Sequence, residues 1–320
     1  WPTVTGVQTC ALPIWKTTIT GNTTNNSGIN QGVNVNSGVT LTNNAALGSE
    51  NGAITNSGTI TSNAGNIKGT VTNNNTLNLS GGTLSKAVSG SGTTNITGAV
   101  TSNSAISQAI NIIAAGDLTI SAGNIGGAVT NAGDLILTGG TLSKAVSGAG
   151  LTTISGNTTN NGGINQAVKV NSGVTLANNA ALGSANGAIT NAGTINSNAD
   201  YIKGTVANSG SLNLSGGTLN KAVSGSGTTT ITGNTTNNAG INQGVKVNNG
   251  VTLTNNAALG SDSGAITNAG TINSNADYIK GTVANSGSLN LSGGTLNKAV
   301  SGSGTTTITE IGRASCRERV

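Results

Sequence analysis

Asp117 and Asp134 are the side chains whose type and spacing could do chemistry. Each follows a glycine at the start of a short apolar stretch, Gly116-Asp117-Leu118 and Gly133-Asp134-Leu135, and they lie seventeen positions apart. If the chain coils with that step, the carboxyls stack about 5 Å apart, close to the separation of acid and nucleophile in a retaining glycosidase. Stacked carboxylates also suit Ca²⁺, which takes oxygen ligands. The plain alternative is a pair of solvated acids at two strand starts. No His exists in the chain, and no Arg or third acid accompanies the pair. The expectation is therefore no catalysis, no metal and no cofactor.

Asp200-Tyr201 and Asp277-Tyr278 form the second candidate set. A tyrosine ring is a platform for a sugar, and a pair of them spaced roughly 19 Å apart (four coils at the usual strand spacing) could make a carbohydrate contact. The ordinary reading is a bend where Tyr covers the edge of the core. Thr228, Thr230 and Thr232 beside Thr252 and Thr254 raise a third class, an ice-binding array of hydroxyls. Ser211, Asn213, Ser215 and Asn273 interrupt that lattice. The Gly-Ser-Gly runs at 90–92 and 225–227 are not phosphate loops, because no helix N-terminus follows them.

The elements that must position these residues are strands in a repeat. Copies begin near Ile19, Ile96, Ile154 and Ile231, with a fifth opening at Ile308. The second copy is the short one, and the other three share one length. Residues 187–232 and 264–309 are identical, which is recent duplication or an assembly artefact. A glycine precedes an apolar stretch at Gly38, Gly58 and Gly92, and onward to Gly287 and Gly304, with Asn75 standing in once. Fourteen such intervals separate Gly38 from Gly304, nineteen positions each on average. Counted this way, the long repeat is four coils and the short copy three. Inward pairs recur with a period of two: Leu212 and Leu214, Val251 and Leu253, Leu289 and Leu291, Leu118 and Ile120. One coil cannot bury these alone, so coils must stack, and each layer touches only the next. Asn-rich stretches such as 22–26 and 157–161 lie at turns, where amides can bond along the axis. No six-residue beat marks a left-handed form, and parallel crossovers default to the right hand. The spacing predicts an all-β fold, a right-handed parallel β-helix of about 19 residues per coil.

Composition agrees. Only 7% of residues are charged and 1% aromatic, so no conventional globular core of Phe, Trp and Met can form. Outside the two ends the lysines are scattered singly, which argues against nucleic acid, since that partner wants a clustered basic face.

The two ends read differently. Residues 4–14, VTGVQTCALPI, and 310–320, EIGRASCRERV, resemble in-frame translations of the adaptors ligated to DNA for sequencing. Together with residues 1–3 they carry both cysteines (Cys10 and Cys316), both prolines and every arginine. We therefore divide the chain into residues 1–15, adaptor-derived and outside the fold; 16–309, a solenoid with repeats near 19–95, 96–153, 154–230 and 231–307; and 310–320, adaptor-derived.

The motifs GTITSN, NSGSLNLSGGTL and GSGTTTITG resemble passenger repeats of bacterial autotransporter adhesins and filamentous-haemagglutinin-like exoproteins, over essentially all of 16–309. The resemblance implies a non-catalytic, structural or adhesive stalk, outside the cell or at the bacterial outer-membrane surface. It implies a host or cell-surface glycan or protein as partner, or self-association, and membrane contact only through a C-terminal barrel beyond these residues. The rival expectation is a β-helix that binds or cleaves polysaccharide.

Overall fold

The computed structural model describes residues 15–309. The adaptor-like ends, with Cys10 and Cys316, lie outside the described residues, except Trp15, which is exposed. The fold is an all-β parallel solenoid built from short strands. It divides into two units, 1–109 and 110–320.

In each unit three ladders of parallel strands wind round one core. In residues 110–320 the first ladder runs Thr152, Val168, Ile189, Val206, Val223, the second Leu176, Ile195, Leu212, Thr229, and the third Leu253, Ile272, Leu289, Thr306. Steps along the first ladder are unequal, the shortest from Thr152 to Val168 and the longest from Val168 to Ile189. Short strands suit this sequence because Gly, Asn, Ser and Thr disfavour helix, while Val, Ile, Leu and Thr fit a pleated, half-buried surface.

The registers change the count of coils per repeat. Four coils along the first ladder carry Thr152 to Val223, somewhat fewer positions per coil than the glycine count gives. The equivalent of Thr152 in the next copy is Thr229, one strand further on and in the second ladder. Its next equivalent, Thr306, is in the third. A long repeat is thus four and one third coils rather than four, and each copy begins one face later. Within residues 1–109 the same holds: Thr17 heads the ladder through Val33, Ile54, Val71 and Val88, whereas Thr94 belongs to the ladder of Leu41, Ile60 and Leu77.

The marker glycines accordingly align only in runs. A Cβ on Gly210 would lie 2.1 Å from the Gly193 carbonyl oxygen, and one on Gly227 2.3 Å from that of Gly210. A Cβ on Gly250 would have nothing within 4 Å; the next run, on the following ladder, starts at Gly270, over the Asn248 and Val251 carbonyls, and continues through Gly287 and Gly304.

Leu212, Leu214, Leu219 and Val223 are fully buried, as their spacing predicts, each contributing on the order of 1.5–3 kcal/mol. Val251 is only half-buried, and the inward pair of its strand is Leu253 with Asn255. An amide replaces an aliphatic in the same way on several other strands. Asn160 donates to Asn178 Oδ1 at 2.7 Å, and Asn178 donates to Ser197 Oγ at 2.9 Å, all three residues being buried. Asn25, Asn43 and Ser62 do the same in residues 1–109. Amides stack inside as well as at exposed turns, where Asn179 donates to Asn161. Buried amides are tolerable because their hydrogen-bonding groups meet partners.

A second internal device marks each copy start. Gln166 Nε2 donates to Thr152 Oγ1 and Gln243 Nε2 to Thr229 Oγ1, both at 2.8 Å and fully buried. Thr229→Val, which removes the acceptor, is expected to destabilise by about 1–2 kcal/mol. Adding Gln243→Leu should cost less than the two single changes summed, since the groups are coupled. Equilibrium denaturation of the four proteins checks this, and strict additivity would refute the coupling.

Candidate functional site

The structure stacks Asp117 on Asp134, as the seventeen-position step predicts: both open their strands, both are exposed, and they are paired in register. The column then passes to Leu151, so no third acid joins them. Among the described residues no group of three or more His, Cys, Asp or Glu side chains is gathered for a metal. Both acids open their strands in exposed positions, so burial does not desolvate either carboxyl.

Asp200-Tyr201 and Asp277-Tyr278 sit in 3-10 turns, Ala199–Tyr201 and Ala276–Tyr278. Asn198 and Asn275 cap these turns by accepting the Asp200 and Asp277 backbone N–H at 2.8 Å. The Asp side chains face the following coil. Asp200 Oδ1 accepts the Thr218 N–H and Asp277 Oδ1 the Thr295 N–H, each at 2.9 Å. Each bond satisfies a backbone donor of that coil. The two Asp-Tyr pairs are also not stacked along one line: Ile202, next to Tyr201, bridges to Leu182 and through it to Ile164, whereas Ile279 bridges to Leu259 and through it to Ile241 on a different ladder. Their separation is four and a third coils, a correction to the four that the glycine count suggests.

Each Tyr is 39% exposed and lines a groove that its neighbouring Asp does not. The Tyr201 groove, about 580 Å³, is walled by Asn178, Asn196, Asn198, Asn213 and Thr232. The Tyr278 groove, about 360 Å³, has the matching Asn255, Asn273, Asn275, Asn290 and Thr309. Outward amides on adjacent strands are tied together, Asn213 donating to Asn196 at 2.7 Å and Asn290 to Asn273 at 2.9 Å. Of these asparagines, the sequence singles out Asn213 and Asn273, and only as interruptions of a threonine lattice. Their signal was the recurrence of Asn at outward positions one coil apart.

Asp277 instead lines a groove of about 400 Å³ with Asp262, Lys280 and Lys298. Lys298 donates to the Asp262 carboxylate, and that hydrogen bond and charge hold Asp262 below the ordinary carboxylate range. A lowered folded pKa gives a contribution present above the unfolded value and lost as pH falls through the folded one. Lys298→Ala is expected to raise the Asp262 midpoint in a carboxyl-resolved NMR titration; no shift would disprove the pairing.

The remaining candidates resolve into packing. Thr228 and Thr230 pair with Ser211 and Asn213 on one side and Gly244 and Lys246 on the other. Thr252 and Thr254 belong to another ladder, against Thr271 and Asn273. The two threonine sets therefore do not share a face, and the hydroxyl array needed for ice is not assembled. The Gly-Ser-Gly run at 225–227 lies inside the strand Val223–Ile231, where a Cβ on Gly225 would be 2.2 Å from the Asn208 carbonyl oxygen. Those glycines let coils approach. No described helix is long and apolar enough to cross a membrane. Comparison with family models, with curated proteins and with solved structures found no match to this chain.

Proposed function

We propose that the chain is a structural and adhesive stalk, a non-catalytic passenger region of a bacterial protein displayed on the outer-membrane surface or secreted. In this reading the partner is a host or cell-surface glycan or protein, or a second copy, and membrane contact is made by a separate C-terminal barrel. The observation that carries the reading is the recurrence of one corner groove in every long copy. It is lined by Thr42, Asn43, Thr61 and Ser80 in residues 1–109, and by the Tyr201 and Tyr278 sets in residues 110–320. A surface that repeats one shape suits multivalent contact, in which linked weak sites gain from effective concentration. Layers that touch only their neighbours suit extension by copy number.

The test uses beads coated with the full chain in a flow cell. More beads should stay on a mixed cell-surface glycoprotein layer than on an albumin layer at equal shear. Equal retention would overturn the adhesive reading, and release of reducing ends from polysaccharides incubated with the chain would overturn the non-catalytic one.

A further inference from the structure

We propose that Tyr201 and Tyr278 are the platforms of two independent sites for a neutral saccharide, on two different ladders of residues 110–320; this rests on the glycan-binding form of the adhesive reading. The first ground is that the fold does not need the rings. The 3-10 turn occurs four times among the described residues, and its third position holds Asn66, Asn124, Tyr201 and Tyr278. The residue that follows has nearly the same backbone in all four, with φ −77°, −89°, −76° and −77° and ψ between 104° and 108°. A turn that closes equally well on Asn gives no packing reason for a large aromatic ring left 39% exposed. The grooves beside the rings are also larger than their counterpart beside Asn66, about 580 and 360 Å³ against about 220 Å³.

The second ground is chemistry. The named walls are planar amides and hydroxyls, and among the described residues no charged side chain lines either groove. A phenol ring with an apolar face and a polar tip suits the C–H face of a pyranose. The hydroxyl rim of that sugar can then exchange hydrogen bonds with side-chain amides, which both donate and accept. An ionic ligand finds no counter-charge here and would lose its hydration without return. The chemistry selects a neutral sugar over an acidic one.

The third ground is position. The Tyr201 groove draws on strands Thr194–Ser197 and Ser211–Leu214, the Tyr278 groove on Thr271–Ser274 and Ser288–Leu291, which belong to separate sheets. The sites are therefore independent, and changes at one should not alter the other.

Titration calorimetry of the full chain against cellohexaose, laminarihexaose, maltohexaose and xylohexaose, with a galacturonic acid hexamer as the charged comparison, tests the proposal. At least one neutral oligosaccharide should bind at two sites per chain, while the acidic hexamer should not. Tyr201→Asn and Tyr278→Asn place the residue that the other two turns already carry, so both should fold with unchanged circular dichroism. Each should halve the stoichiometry, the double change should abolish binding, and Tyr→Phe should retain it. The proposal is overturned if no neutral hexamer binds up to about 10 mM, near the weak end of measurable affinity. It is equally overturned if binding survives the double change or if the acidic hexamer binds as well. These outcomes are read in solution, so they stand apart from bead retention under flow, which tests adhesion itself.

Discussion

Gly225→Ala is expected to unfold its coil and the one below it, costing more than about 3 kcal/mol. Two penalties coincide at that position. Gly225 has φ +127°, a conformation open to glycine and costly by about 1–3 kcal/mol for an L side chain. Its Cβ would also lie 2.2 Å from the Asn208 carbonyl oxygen, a backbone atom that cannot swing aside. Relief needs the two coils to part, breaking the parallel pairing of Val206 with Val223. The same geometry recurs at Gly90, Gly148 and Gly302, each over the carbonyl of an asparagine in the coil beneath. Gly123→Ala is the control, with nothing within 4 Å and no positive φ, and should be near neutral. Thermal melts combined with hydrogen exchange around residues 206–231 separate the two. Equal melting points for both variants would remove the steric account of the Gly-Ser-Gly runs.

Asn191→Ala should be nearly as damaging, at about 3–5 kcal/mol. Asn191 is fully buried and makes three bonds with its amide. It donates to Asn208 Oδ1 at 2.7 Å and to the Ser211 carbonyl at 2.9 Å, and it accepts the Gly193 N–H at 3.1 Å. Alanine deprives those groups of this partner inside a water-poor core, where each loss costs about 1–3 kcal/mol. Asn191→Leu restores volume without restoring polarity, and should recover less than half the loss. Asn213→Ala, which removes one amide bond on the outer face, should cost under about 1 kcal/mol. Denaturant titration ranks the three, and the Gly193 N–H should become the fastest-exchanging amide of its coil in both Asn191 variants. If Asn191→Leu proves as stable as the parent, the internal amides are filling space and their hydrogen bonds are incidental.

The parallel winding and its aliphatic lining were legible because Leu212 and Leu214 alternate with polar neighbours at the strand period, and Leu219 and Val223 resume the inward face after the turn. The interior amides were hidden by residue type. Asn43, Asn56, Asn178 and Asn191 sit two positions after an inward Leu or Ile, so the same alternation places them inside, but asparagine is ordinarily read as a turn former. The fractional coil count was hidden for another reason. Strands here are separated by connections of unequal length, and glycine marks only some corners, so the length of a repeat does not by itself state how many turns it makes. Strand pairing reveals it, Thr229 meeting Leu212 rather than Val223. As for the candidate site, the tyrosines were visible and their walls were not, since Asn196 and Asn213 meet only through winding. Asp117 and Asp134 do stack as spacing implies, at two exposed strand starts.

The extra third of a coil has a consequence for how such a molecule changes through recombination. Gain or loss of one whole long block swings the compass bearing of every later side chain by one face, and three blocks are needed to restore it. Gain or loss of a single coil, such as the stretch from Val206 to Val223, shifts later side chains along the axis and leaves their bearing unchanged. Slippage between near-identical blocks would thus re-aim a fixed set of surface groups without altering one amino acid in them.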